Sequence, residues 1–249
     1  MKKINNINIL FFFVLSSIII KWLILEIYFD HNIIPNVINT LSDKQYFPII
    51  ISLSNFDISP NFLSQIESKN ILSFPIYGVL IHAIFYSIFG IYSFVLLDFI
   101  LKFLFYVILY KVFLEVFENK KKSILFCLTI LFTYIFFKFF SLNTEINFFY
   151  YIYDSLNNNF GNRMPRPLIT GIFYFLFYLL LFRLEDKIKT KINFSYVLII
   201  FFLLSCFLNS FFYYFINFSV LLFGLFLFYT RGKFFGVLLE NGKNLFFGF

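Results

Sequence analysis

The chain has 249 residues, of which 61% are hydrophobic and 13% charged, and its formal net charge is +7. That charged share is roughly half of what soluble domains carry, which excludes an ordinary water-soluble globule. The lysines are scattered among short polar gaps rather than gathered on one face, which excludes a nucleic-acid-binding surface.

The apolar runs approach or exceed the ~20 residues that a helix needs to cross a bilayer. The expectation is an all-α, polytopic integral membrane protein. It has about six transmembrane helices, a juxtamembrane helix and two outer loops, in a single transmembrane domain over residues 1–249. The short basic loops suit a cytoplasmic face opposite anionic membrane lipid. The 45 Phe, with many Ile, Asn, Lys and Tyr and a lone Ala83, indicate AT-rich codon usage. Aromatic clusters therefore carry no functional weight.

Lys2 and Lys3 precede an apolar run that continues to about Phe29. No small-residue cleavage site interrupts it, so it reads as a retained first span, 8–29. The polar stretch 30–73 follows as outer loop 1. Segment 74–89 is apolar but would reach only about 24 Å as a helix, short of a ~30 Å hydrocarbon core. It carries Pro75 and Gly78 near its start and reads as a juxtamembrane or re-entrant helix. Residues 93–117 span. The basic turn 118–123 leads into a further span at 124–140. Outer loop 2, 141–167, precedes a span at 168–182 and a polar stretch at 184–193. Residues 194–230 are too many for one helix, and Asn209 with Asn217 marks a turn between two spans.

If 74–89 does not cross, twelve Lys and Arg lie inside and four outside; if it crosses, seven spans give the same count. The positive-inside rule is balanced between the two. Lys2 and Lys3 at the first helix and the shortness of 74–89 favour six. Both arrangements put loop 2 outside.

Asp30 and His31 stand where the first span meets loop 1. A carboxylate beside an imidazole at a membrane face can act as a general base or hold a metal. The plain alternative is a solvated helix end, although a carboxylate there meets an unfavourable helix dipole. Loop 2 holds Glu145 and Asp154, then Arg163 and Arg166 close to the next span. Guanidinium groups bind phosphate oxygens bidentately, and Pro165 and Pro167 keep this stretch extended. Anchoring to lipid phosphate is the plain alternative. Within the spans, Asp98 with Lys102 and Lys111 with Glu115 stand four apart and suit pairing on one helix face. Lys21 and Glu26, five apart, match less well. His82 reads as a packed or interfacial residue. Cys127 and Cys206 lie inside apolar runs and read as ordinary packing. No phosphate-binding loop, dinucleotide fingerprint, zinc-protease motif or nucleophile elbow is present.

The order of parts over residues 1–190 resembles the N-terminal part of GT-C-type membrane glycosyltransferases, of the mannosyltransferase-like and aminoarabinose-transferase-like kind. The resemblance rests on Asp30 at the start of loop 1, on Ser73-Phe74-Pro75-Ile76-Tyr77 through Phe89-Gly90, and on the basic turn 119–122. It rests also on Glu145, Asp154, Arg163 and Arg166 in loop 2. It implies transfer of a sugar from a polyprenyl-phosphate donor to an acceptor on the outer face of a bacterial inner membrane. On that resemblance Asp30, with His31 beside it, is the base, and Arg163 and Arg166 hold the donor phosphate. Glu145 or Asp154 binds a divalent cation or orients the acceptor. Family members are longer, so the chain is expected to correspond to part of such an enzyme. Two other readings remain open. One is a non-catalytic polytopic membrane subunit or transporter component, in which the charges within spans matter most. The other is an O-antigen-type polymerase or ligase.

Overall fold

A computed structural model describes residues 6–28, 31–41, 46–57, 76–143, 148, 151–152, 168–188, 194–210 and 212–230. The described residues form helices and no extended strand. In chain order the helices are α1 (Asn6–Tyr28), α2 (Ile33–Thr40), α3 (Tyr46–Ser54), α4 (Ile76–Phe89), α5 (Ser93–Phe117) and α6 (Lys120–Asn143). Then come α7 (Leu168–Ile188), α8 (Phe194–Ser210) and α9 (Phe212–Thr230). Among the described residues two stretches, Asn6–Ile27 and Tyr77–Phe117, are long and apolar enough to cross a membrane by length and composition. The apolar cores of α7 and α9, Leu168–Phe182 and Phe215–Leu225, are shorter.

The second long stretch is not one rod. Gly90 has φ +57 and opens a single 3₁₀ turn, Gly90–Tyr92, so α4 and α5 are separate helices. Only glycine takes that backbone conformation without strain. With 14 residues, α4 is about 21 Å long.

Helix α5 is the hub, packing against α1, α4, α6 and α7. Its residues Phe94, Leu97, Leu101, Phe105, Ile108 and Leu109 are buried, while Leu96, Ile100 and Leu104 form an exposed stripe at four-residue spacing. Lys111 and Glu115 continue that exposed side. Glu118 ends α5 in a left-handed conformation, φ 50. Asn119 starts α6, its Oδ1 accepting from the backbone N–H groups of Lys121 and Lys122 at 3.0 and 3.2 Å. Such side-chain acceptors satisfy donors that a helix start leaves free.

The contacts fix helix directions. Asn6 Nδ2 donates to the Tyr110 hydroxyl and to the Lys120 carbonyl, both at 3.1 Å. Phe11 packs edge-on against Phe99 and Phe103, and Lys21 reaches Asp98. Helices α1 and α5 are therefore antiparallel. Phe13 against Phe132, together with Asn6 against Lys120, makes α1 and α6 parallel. A seven-span arrangement with α4 as the one crossing between α1 and α5 would need those two to run the same way, and the packing is incompatible with it.

Apolar side chains cover much of the outside. Phe12, Ile20, Leu23, Ile24 and Ile27 on α1 are more than half exposed, and α6, α8 and α9 present Leu125, Phe202 and Val220 in the same way. The main core joins α1 through α7, and a smaller one centres on Phe177, Leu203 and Phe218 between α7, α8 and α9. Helix α6 extends to Asn143 and α7 to Ile188, a few residues beyond the expected span ends. Loop 1 contains α2 and α3. The break between α8 and α9 falls inside the stretch that Asn209 and Asn217 bracket, close to Asn209, and Asn217 lies within α9.

Candidate functional site

The buried face of α1 runs Leu10, Val14, Ile18. Three and four residues further on, the same helix face delivers Lys21 and Trp22. On α5, Asp98 lies four residues after Phe94, with Lys102 one turn beyond, and both stand on the buried side. Lys21 Nζ donates to Asp98 Oδ2 at 2.6 Å, and the Trp22 indole N–H donates to the same oxygen at 3.0 Å. Lys102 and His82 lie within electrostatic reach of this carboxylate. His82 on α4 is buried, with Nδ1 2.8 Å from the Gly78 carbonyl oxygen. Asp98 Oδ1 accepts no hydrogen bond among the described residues. Three helices thus converge on one carboxylate.

The expected pairing differs in two places. Asp98, which its spacing pairs with Lys102 on the same helix, has a direct ion pair with Lys21, 77 residues away, and Lys102 also acts on it electrostatically. Lys21 and Glu26, five apart on α1, take different partners. Glu26 instead faces the α1–α2 corner. Its Oε1 lies 3.2 Å from His31 Nδ1, and its Oε2 accepts from Asn36 Nδ2 at 3.4 Å.

That corner follows from local chemistry. His31 takes a left-handed backbone, φ 63, and its N–H donates to the Glu26 carbonyl at 3.1 Å, a six-to-one bond of the kind that closes helix C-termini. Asn32 then caps α2, its side chain accepting from the Ile34 N–H at 3.1 Å. The His31 ring is exposed and held by a carboxylate, an arrangement that suits an imidazole acting as a base. Asp30, Glu145, Asp154, Arg163 and Arg166 lie outside the described residues. Among the described residues no group of three or more His, Cys, Asp or Glu is arranged to hold a metal ion. Cys127 and Cys206 are buried free thiols.

The carboxylate of Glu26 and the cluster around Asp98 escaped the sequence reading as partners. Their signal was the spacing Leu10, Val14, Ile18, Trp22, Glu26, which places all five on one stripe of α1. Comparison with known proteins finds no matching protein family, no matching curated protein and no matching solved structure.

Proposed function

We propose that this chain is an integral membrane glycosyltransferase that moves a sugar from a polyprenyl-phosphate donor to an acceptor at one membrane face. The observation that carries the reading is the parallel packing of α1 and α6, with α5 antiparallel to α1. The chain leaves α1 and α6 at the same end of the bundle, and those exits lead into the two polar stretches that hold Asp30 and the Arg163–Arg166 pair. The exposed apolar flanks of α1, α6, α8 and α9 support a bilayer environment, because apolar surface of this extent is unfavourable in water. Six spans (α1, α5, α6, α7, α8 and α9) suit that environment, with α2, α3 and α4 at the outer end.

In this mechanism Asp30 takes the proton of the acceptor hydroxyl. His31, held by Glu26, stands next to it in sequence. Arg163 and Arg166 bind the donor phosphate and stabilise the charge it gains on leaving. Glu145 or Asp154 orients the acceptor or holds a divalent cation.

The test is sugar transfer in membranes containing the protein, with radiolabelled polyprenyl-phosphate sugars as donors. Asp30→Asn is expected to reduce transfer by more than about a hundredfold at unchanged protein level, within the range typical of a lost general base. Arg163→Ala should raise the donor concentration needed for half-maximal rate. Transfer that survives Asp30→Asn removes this mechanism. The non-catalytic subunit reading has one observation in its favour, the buried charged cluster around Asp98. It predicts that neutralising Asp98 matters and that Asp30→Asn is silent.

A further inference from the structure

Glu26 holds His31 at two points. The His31 backbone N–H donates to the Glu26 carbonyl at 3.1 Å, and the ring sets Nδ1 3.2 Å from Glu26 Oε1. The other carboxylate oxygen accepts from Asn36 Nδ2 at 3.4 Å. Asn36 is fully buried on α2, and Val37 beside it belongs to the main core. The carboxylate is therefore braced from a seated helix, and the imidazole is braced by the carboxylate.

This arrangement selects one form of the ring. An ionised carboxylate only accepts hydrogen bonds, so the shared proton sits on Nδ1. In the neutral ring the lone pair is then on Nε2. The side chain is 82% exposed, and Nε2 has no partner among the described residues. His82, the other histidine of the chain, is fully buried, with Nδ1 2.8 Å from the Gly78 carbonyl oxygen. His31 is thus the one exposed imidazole.

We propose that Glu26 is a positioning residue, which aims His31 Nε2 as the atom where the acceptor's proton comes to rest. The proposal rests on the transferase reading and adds to it where the proton goes after Asp30. The acceptor O–H bond breaks as its oxygen bonds the sugar's anomeric carbon. The bond from that carbon to the phosphate oxygen breaks, and its electron pair leaves with the phosphate. The proton reaches Asp30 and then His31 Nε2, because an imidazole is ordinarily a stronger base than a carboxylate. The positive charge formed on the ring lies against the Glu26 carboxylate. A carboxylate so placed both orients an imidazole and stabilises its charged form.

The full chain, labelled with isotopic nitrogen in histidine and held in neutral detergent micelles, gives ring-nitrogen magnetic resonance signals from two residues. His31→Gln identifies which signals belong to which. At about pH 8, where an ordinary imidazole is neutral, a protonated Nδ1 and a bare Nε2 are expected for His31. Glu26→Ala should spread the proton over both nitrogens. In the transfer assay Glu26→Ala should lower kcat about tenfold to a hundredfold with KM unchanged, the range for losing a group that orients a functional imidazole. His31→Ala should lower it likewise, and the double variant should be no worse than His31→Ala alone, because Glu26 acts through the ring. A bare Nδ1 in the unaltered protein overturns the proposal, whatever the rates. So does a kcat that Glu26→Ala leaves unchanged, or a loss that adds to that of His31→Ala. An unaltered protein that transfers no sugar removes the transferase reading, and the proton role with it, before any substitution is made.

Discussion

At the residue scale, Asp98 decides more than any other side chain described. It holds Lys21 and Trp22 of α1 and feels Lys102 from its own helix. Removing Lys21 leaves the carboxylate with a second cation nearby; removing the carboxylate takes from Lys21 the group it is paired with. Asp98→Leu should therefore cost about 3–5 kcal/mol, the range for an uncompensated buried charge. Lys21→Met should cost less, about 1.5–3 kcal/mol, the worth of a hydrogen bond to a charged group. Unfolding midpoints in mixed detergent micelles compare the two. Equal losses would mean that Lys102 does not share the carboxylate. The sequence hinted at Asp98 by placing it in an apolar run, but not at its partner. Spacing along one helix suggested Lys102. The choice between helices depends on which faces meet, and helices that are apolar all round do not display an inner face.

At the scale of elements, boundaries were the most legible feature. Residues 93–117 were expected to form one helix and do so, because Gly90 and Glu118-Asn119 bracket an apolar run with turn and capping chemistry. Asn32 likewise starts α2 by capping it. Asn209 and Asn217 bracket the break between α8 and α9, which falls near Asn209; Asn217 is exposed inside α9, where packing of Phe218 against Phe177 holds the helix. The contact between α5 and α7 was not legible at all. It depends on Gly171, where an added Cβ would stand 3.0 Å from the Phe105 ring. Phe105 is buried and already packed against Phe175 and Tyr106, so the ring has little room to give. Gly171→Val should cost about 1–3 kcal/mol through overpacking. In a Phe105→Leu background the same change should cost less, and thermal unfolding of the four proteins measures that coupling. An unchanged cost in both backgrounds would show that α5 and α7 do not meet there.

At the scale of the molecule, direction matters more than the number of helices. Charge counting left six and seven crossings balanced, because exchanging the N-terminal lysines for those of loop 1 leaves the totals alike. The antiparallel packing of α1 and α5 is information that charge counting lacks, and only contacts distant in sequence, such as Asn6 with Tyr110, carry it. A cysteine at Ser42 and another at Ser155 should both react with a membrane-impermeant thiol reagent in intact cells. The native cysteines are buried and contribute little background. Labelling of one position alone would put the two polar stretches on opposite faces, and the proposed transferase mechanism would fail with it. Asp30, Arg163 and Arg166 enter that mechanism through their chemistry and their place in the sequence. The described helices account for how His31 is held and for where the chain departs toward the others.

The ion pair between α1 and α5 also sets a timetable. Lys21 is synthesised 77 residues before Asp98, which at ordinary elongation rates is a delay of roughly 4–15 s. During that interval the first helix holds an ammonium group whose partner has not yet left the ribosome. Until Asp98 is made, newborn α1 carries the Lys21 ammonium group without this partner, and a pause in translation before residue 98 would lengthen that interval.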